Sequence, residues 1–158
     1  MVEAEIVYAR GHPRIKATHA TTLEISREEY LTERGDCIIG IGADRSPRDF
    51  SRLFKEALRR DDSILLAVIR AGGLVDIVLA QGSSGLIVDS PVKLIIRRSS
   101  FIEPATIGIK ANKAARDIDR RIIQILRDPG TVLELRLYVL GLDEVESIYA
   151  GSRGIFQD

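Results

Sequence analysis

The chain has 158 residues, 45% of them hydrophobic, and its 23 Lys and Arg balance 23 Asp and Glu. That size and apolar fraction fit one domain-sized object with a full core and exclude a disordered chain, while the zero formal net charge argues against a general nucleic-acid binder. No apolar run is long enough to cross a bilayer, the N-terminal MVEAEIVYARG is too charged for a secretory signal, and Cys37 is the single cysteine, so a cytoplasmic location without internal disulfides or membrane association is expected.

Residues 6–10 read as a strand that ends in a Gly11-His-Pro turn. Residues 14–27 read as a longer extended run containing Thr21, Thr22, Leu23 and Ile25, and residues 28–35 as a polar loop. A second β run covers 37–43, where Gly40 and Gly42 permit close packing or a bulge. A helix is predicted to start at the N-cap Asp44, with Phe50, Leu53, Phe54, Ala57 and Leu58 on one face. Residues 64–69 are continuously apolar, which predicts a strand covered on both faces. Residues 132–140 alternate, which predicts a half-solvated antiparallel strand. The Gly82-Ser-Ser-Gly85 and Gly151-Ser-Arg-Gly154 stretches read as turn chemistry.

The chain also repeats itself. Residues 39–74 overlie 107–142 without a gap at an offset of 68, and residues 6–15 overlie 77–86 at an offset of 71. Roughly a third of the first overlay is identical, well above chance. The expectation is a single domain over 1–158, built from two tandem units at about 5–73 and 76–141. Each has about four strands and one helix, and an extended segment at about 145–156 closes the sheet. The fold class is α+β: one mainly antiparallel, twisted sheet or partly closed barrel, with two packed helices related by a pseudo-twofold axis. Arg outnumbers Lys by 18 to 5, a composition compatible with a thermophile.

What one unit has alone marks where chemistry is to be sought. His12 overlies Ser83, His19 overlies Ser90, Glu24 overlies Ile95, Asp36 overlies Pro104, and Cys37 overlies Ala105. Strand parity places His19 and Thr21 on the core face with Leu23, and Thr22 and Glu24 on the other. The bland reading is hydrogen bonding inside the sheet, with His12 capping a turn. The functional reading is a small-molecule site, with His12 or His19 as base or donor, Glu24 or Asp36 orienting it, and Thr21 and Thr22 binding the ligand. Cys37 as a nucleophile is a weaker reading, because a lone cysteine opening an apolar run is usually core. A metal site from His12, His19, Cys37 and a carboxylate matches no known ligand spacing, so no metal is expected, and no motif names a cofactor.

A basic stripe is common to both units. Arg45, Arg48, Arg52 and Arg59 fall on one side of a helix, and Lys113, Arg116, Arg120 and Arg127 repeat it. A solvated helix face laced with acids explains it blandly. An anion-binding surface for RNA or a protein complex is the alternative function. A homodimer formed by strand-edge pairing is a third reading.

The strings GHPRIKATHATTLEI at 11–25, LTERGDCIIG at 31–40 and IGIKANKAARD at 107–117 resemble the archaeal domain-of-unknown-function family 371. That resemblance spans nearly the whole chain and implies an archaeal, cytoplasmic protein. It carries over no activity, cofactor or catalytic residue. The function expected from the residues is a small-molecule binding site, with or without enzymatic chemistry, beside residues 12–37.

Overall fold

The computed structural model describes residues 2–156, with side chains to residue 151. Eight strands form two four-stranded sheets. The first sheet has the order β1-β8-β4-β5, from β1 (Glu3–Arg10), β8 (Val132–Leu140), β4 (Ile64–Ala71) and β5 (Leu74–Gln81), all antiparallel. The second has the order β3-β2-β6-β7, from β3 (Ile38–Gly40), β2 (Thr22–Ser26), β6 (Lys93–Arg97) and β7 (Thr106–Gly108). Its central β2–β6 pair is antiparallel and its flanking pairs are parallel. Helices α1 (Arg52–Leu58) and α2 (Arg120–Ile125) pack on the first sheet, and α3 (Leu142–Phe156) follows β8.

The single sheet or partly closed barrel of the sequence reading is therefore corrected to two sheets of an α+β fold, with no closed barrel. The cause lies in the chain after β1. Gly11 passes so close to the end of α2 that a Cβ there would sit 2.2 Å from the Leu126 carbonyl. His12 N then bonds that carbonyl at 2.9 Å. The chain is held off the sheet until Thr22, so the expected extended run at 14–27 shrinks to the five residues of β2. Gly82 makes the same approach to the Leu58 carbonyl after β5. Among the described residues, the bridges Arg10–Ile41 and Gln81–Ile109 link the backbones of the two sheets.

Edges of the first sheet are closed by side chains. Asp44 pairs with Tyr8 on β1 through N–H to O and N–H to Oδ1 bonds, both 2.9 Å, and Asn112 does the same to Leu79 on β5. Asp44 is thus an edge partner and not the N-cap that the sequence predicts. A 3-10 turn at Pro47–Asp49 follows, Phe50 is extended, and α1 begins only after the Ser51 cap. Ser51 Oγ accepts from Phe54 N at 3.1 Å. At Tyr8 and Leu79 the edge amide and carbonyl are thereby taken, which blocks pairing with a second chain at those two positions.

Two further expectations need correction. β4 alternates, with Leu65, Ala67 and Ile69 buried and Ile64, Leu66 and Val68 half-buried, so its outer face is not covered. The expected closing strand at 145–156 is α3, which also absorbs the Gly151–Gly154 turn. Leu142, Val145, Ile148 and Tyr149 recur at helical spacing, and Asp143 and Glu144 in the first turn suit the positive helix end. The alternation of β8 is as predicted, with Leu133, Leu135, Leu137 and Val139 inside. One core unites the sheets and helices: Val7, Leu65, Leu135, Leu23, Ile96, Phe54 and Ile122 all belong to it. Phe50 and Phe54 meet edge to face at 5.1 Å.

Candidate functional site

The two histidines occupy turns. His12 Nδ1 accepts from Arg14 N at 3.0 Å, and His19 Nδ1 accepts from Thr21 N at 3.1 Å and Thr22 N at 3.0 Å. Backbone N–H groups can only donate, so Nδ1 is the acceptor in both rings. Ser83 and Ser90, their counterparts, do the same work with Oγ, accepting from Gly85 N and from Val92 N and Lys93 N. The His/Ser difference therefore leaves the turn geometry unchanged. Thr21 is exposed and does not share the core face, because this turn precedes the strand and breaks the parity count. Asp36 contributes its carbonyl, accepting from Thr18 N and His19 N.

Glu24 and Cys37 differ from their counterparts in kind. Thr22, Glu24 and Ser26 line the outer face of β2 and are all buried, Glu24 to 6% exposure. Opposite them on β6 stand Arg97, Ile95 and Lys93. The Cys37 thiol donates to Glu24 Oε1 at 3.7 Å, and Glu24 N bonds the Cys37 carbonyl at 2.9 Å. A cavity of about 510 Å³ opens on this pair, lined by Ser26 and Lys93 and by Glu28, Tyr30, Thr32 and Arg34 of the 27–37 loop. Burial holds the Glu24 carboxyl above its ordinary 4.5, against the pull of Lys93. Burial also pushes the Cys37 thiol up to about 12, helped by the negative charges of Glu24 and Asp36. A thiol at that value stays protonated near neutrality and donates a hydrogen bond; it is no ready nucleophile.

The corresponding place in the second half is filled. Arg97, the counterpart of Ser26, bonds Glu103 at 2.7 Å, Thr106 at 3.3 Å and Thr22 at 3.4 Å, and lies 4.9 Å from the Phe101 ring. The loop there is also shorter. Ser26 to Ile38 spans 12 positions (38 − 26), whereas Arg97 to Thr106 spans 9 (106 − 97). Those three residues are the drop in repeat offset from 71 to 68. That drop was the signal for Glu28, Tyr30, Thr32, Arg34 and Lys93, which composition and strand parity did not single out.

The basic residues do not form a stripe, because the predicted helix is interrupted. Arg45 binds Glu5 at 2.6 Å and the Ile6 carbonyl, and Lys113 binds Asp76. Arg48 pairs with Asp89, Arg52 with Glu56, and Arg116 with Asp117. Arg59 holds the Leu86 and Ile87 carbonyls, and Arg120 holds those of Lys16 and Ala17. Arg127 lines a separate cleft. Among the described residues, no three His, Cys, Asp or Glu side chains converge as metal ligands. No helix among them is long and apolar enough to cross a membrane.

Comparison with known proteins places this geometry in a group. The model of the family described as "Domain of unknown function (DUF371)" matches residues 7–140. An uncharacterized protein of Methanocaldococcus jannaschii is 46% identical over 123 residues, covering 78% of this chain and 90% of that protein. The matched span contains both sheets apart from the first half of β1, together with the Glu24–Cys37 pair and the cavity, and leaves α3 outside.

Proposed function

This chain belongs to the DUF371 family, and since no activity arrives with that membership, we propose from the geometry that it is a binding protein for a small polar ligand in the cavity beside residues 12–37. The pair formed by the buried Glu24 and the half-buried Cys37 at that cavity carries the reading. A buried carboxyl bonded to a half-buried thiol and facing an open space needs a reason, since apolar residues fill the same positions at Ile95 and Ala105. The volume suits a metabolite-sized molecule. Lys93 and Arg34 fit an anionic group on it, and Glu24, Ser26, Thr32 and Tyr30 fit hydroxyl or amide groups. An enzymatic form of the reading uses Glu24 as a general acid, the role a raised carboxyl suits.

The same reading makes residues 5–73 and 76–141 two copies of one strand-rich unit within a single domain, related by a pseudo-twofold axis. Its support is that positions 71 or 68 apart make the same bonds. Glu5 accepts from Ser51 N and Asp76 from Asp119 N, both at 2.8 Å. Arg48 N reaches the Ser90 carbonyl and Arg116 N the His19 carbonyl, both at 3.1 Å. The alternative function, an RNA or protein-complex module on the basic residues, has less support, because half of those cations (Arg45, Arg59, Lys113 and Arg120) already hold parts of the fold together.

Native mass spectrometry of protein purified at low salt from an archaeal host tests the proposal. The wild type is expected to carry a small-molecule adduct. The double substitution Glu24→Ile with Cys37→Ala is expected to fold and lose it, since both residues copy the second half. A folded double variant that keeps the same adduct sinks the site, and an RNA-laden wild type favours the alternative.

A further inference from the structure

A second cleft lies between residues 13–18 and the C-terminal end of α2, and reaches Glu33 of the 27–37 loop. It comprises two adjoining spaces of about 320 and 270 Å³ that share Lys16 and Arg127, with Arg120 lining the first and Arg14 and Glu33 the second. Arg14, Lys16 and Arg127 are exposed, and among the described residues none of their head groups has a carboxylate within ion-pair distance. Three like charges around one concavity repel each other unless something neutralises them.

In its counterpart in the other half the cation is already hydrogen-bonded. There the arginine matching Arg127 is Arg59, and its guanidinium is taken up by the Leu86 and Ile87 carbonyls. In this cleft the equivalent anchoring is done by Arg120, through the Lys16 and Ala17 carbonyls at 2.9 Å. Arg127 is thereby released. At the counterpart, Asp61 also bonds Ser84 N at 2.7 Å. Here the matching residues are Pro129 and Pro13, which supply neither the carboxylate nor the amide. Arg14 and Lys16 stand where the other half has Gly85 and Ile87. The changes at positions 14 and 16 add cations and the one at 129 removes an acid, while Ile123 stands where the other half has Lys55.

We infer that this cleft binds the phosphate group of a small phosphorylated molecule, held by Arg14, Lys16 and Arg127. Guanidinium forks with an ammonium match the oxygens of a phosphoryl group. A small ligand fits better than RNA, because the unpaired cations are confined to one concavity with Glu33 on its wall, and an extended track is absent among the described residues. The inference does not rest on the occupant proposed for the Glu24 cavity.

Isothermal titration with inorganic phosphate and with pyrophosphate, at ionic strength matched by sodium chloride, tests it. Saturable binding is expected, weakened about tenfold or more by Arg127→Gln and by Lys16→Gln. Arg52→Gln, at an exposed arginine elsewhere, is expected to leave it unchanged, and so is the Glu24→Ile, Cys37→Ala double variant. Both cleft substitutions are at exposed side chains, and a thermal melt of each checks that it folds. The inference is overturned if chloride reproduces the signal or if Arg127→Gln binds as the wild type does. It is also overturned if a single-stranded RNA oligonucleotide binds with a steep salt dependence that Arg52→Gln weakens equally.

Discussion

His19 and Ser90 accept two backbone amides each at matching turns, one with Nδ1 and the other with Oγ. If that geometry is what position 19 requires, His19→Ser should unfold at nearly the wild-type denaturant concentration. His19→Ala leaves both amides without their acceptor and should lose about 1 kcal/mol. Equal losses in the two variants, read from chemical denaturation, would show that the imidazole does something a hydroxyl cannot. Glu24 behaves in the opposite sense. Its folded pKa is raised above the ordinary 4.5 by burial, so the stability of the neutral form is complete below 4.5 and is lost as pH rises through the folded value. Glu24→Gln keeps an acceptor for the Cys37 thiol and removes the charge. Its melting temperature is expected to exceed the wild type's at pH 8 and to converge with it near pH 4. A variant less stable than wild type at pH 8 would mean that Lys93 outweighs burial. A carboxyl retained against stability is what a binding site leaves behind when the fold alone would choose Ile.

At the scale of elements, each short helix is tied to the first strand of a unit by one carboxylate. Asp76 on β5 accepts from Ile77 N and Asp119 N, both at 2.8 Å, and pairs with Lys113. Burial raises its pKa, but the bonds from Lys113, Asp119 and Ile77 together outweigh that and hold it below the usual 3.8. Asp76→Asn should cost about 2 kcal/mol at pH 7. Because a depressed carboxylate stabilises above its unfolded value and stops doing so as pH falls through its folded value, the gap should persist down to about pH 4 and close in stronger acid. A gap independent of pH would place the cost in packing. This tie was not legible in the sequence, since it joins residues 43 apart. What was legible follows from local periodicity: the alternation of β8 and the parity that sets Leu23 and Ile25 against Thr22 and Glu24. The failures are tertiary. Continuous apolar residues in β4 suggested two covered faces, yet its outer face is only half-buried. Asp44 looked like a cap, but its side chain completes an edge-strand pair with Tyr8, and the helix starts seven residues later at Ser51. The cavity was legible only indirectly, through Glu24 and Cys37 standing where the other half has Ile95 and Ala105, while its loop residues left a trace only in the three-residue change in repeat offset.

Across the whole molecule, the strand pairings interleave the two proposed units. β1 pairs with β8, β4 with β5 and with β8, and β2 with β6, so every one of these contacts joins one half of the chain to the other. Within a half, the strand contacts among the described residues are the short parallel pairs β2–β3 and β6–β7 and the single bridges Arg10–Ile41 and Gln81–Ile109. The buried side chains of both halves belong to one cluster. Neither half holds a sheet of its own, and neither can reach a state of intermediate stability by unfolding the other. The chain should therefore unfold in a single transition despite its repeat. Scanning calorimetry is expected to give one endotherm whose calorimetric and van't Hoff enthalpies agree. The substitutions at Glu24 in the first half and Asp76 in the second should each move that one endotherm without splitting it. Two separable endotherms, one responding to Glu24→Gln and the other to Asp76→Asn, would require two cores, and the interleaved architecture has only one to offer.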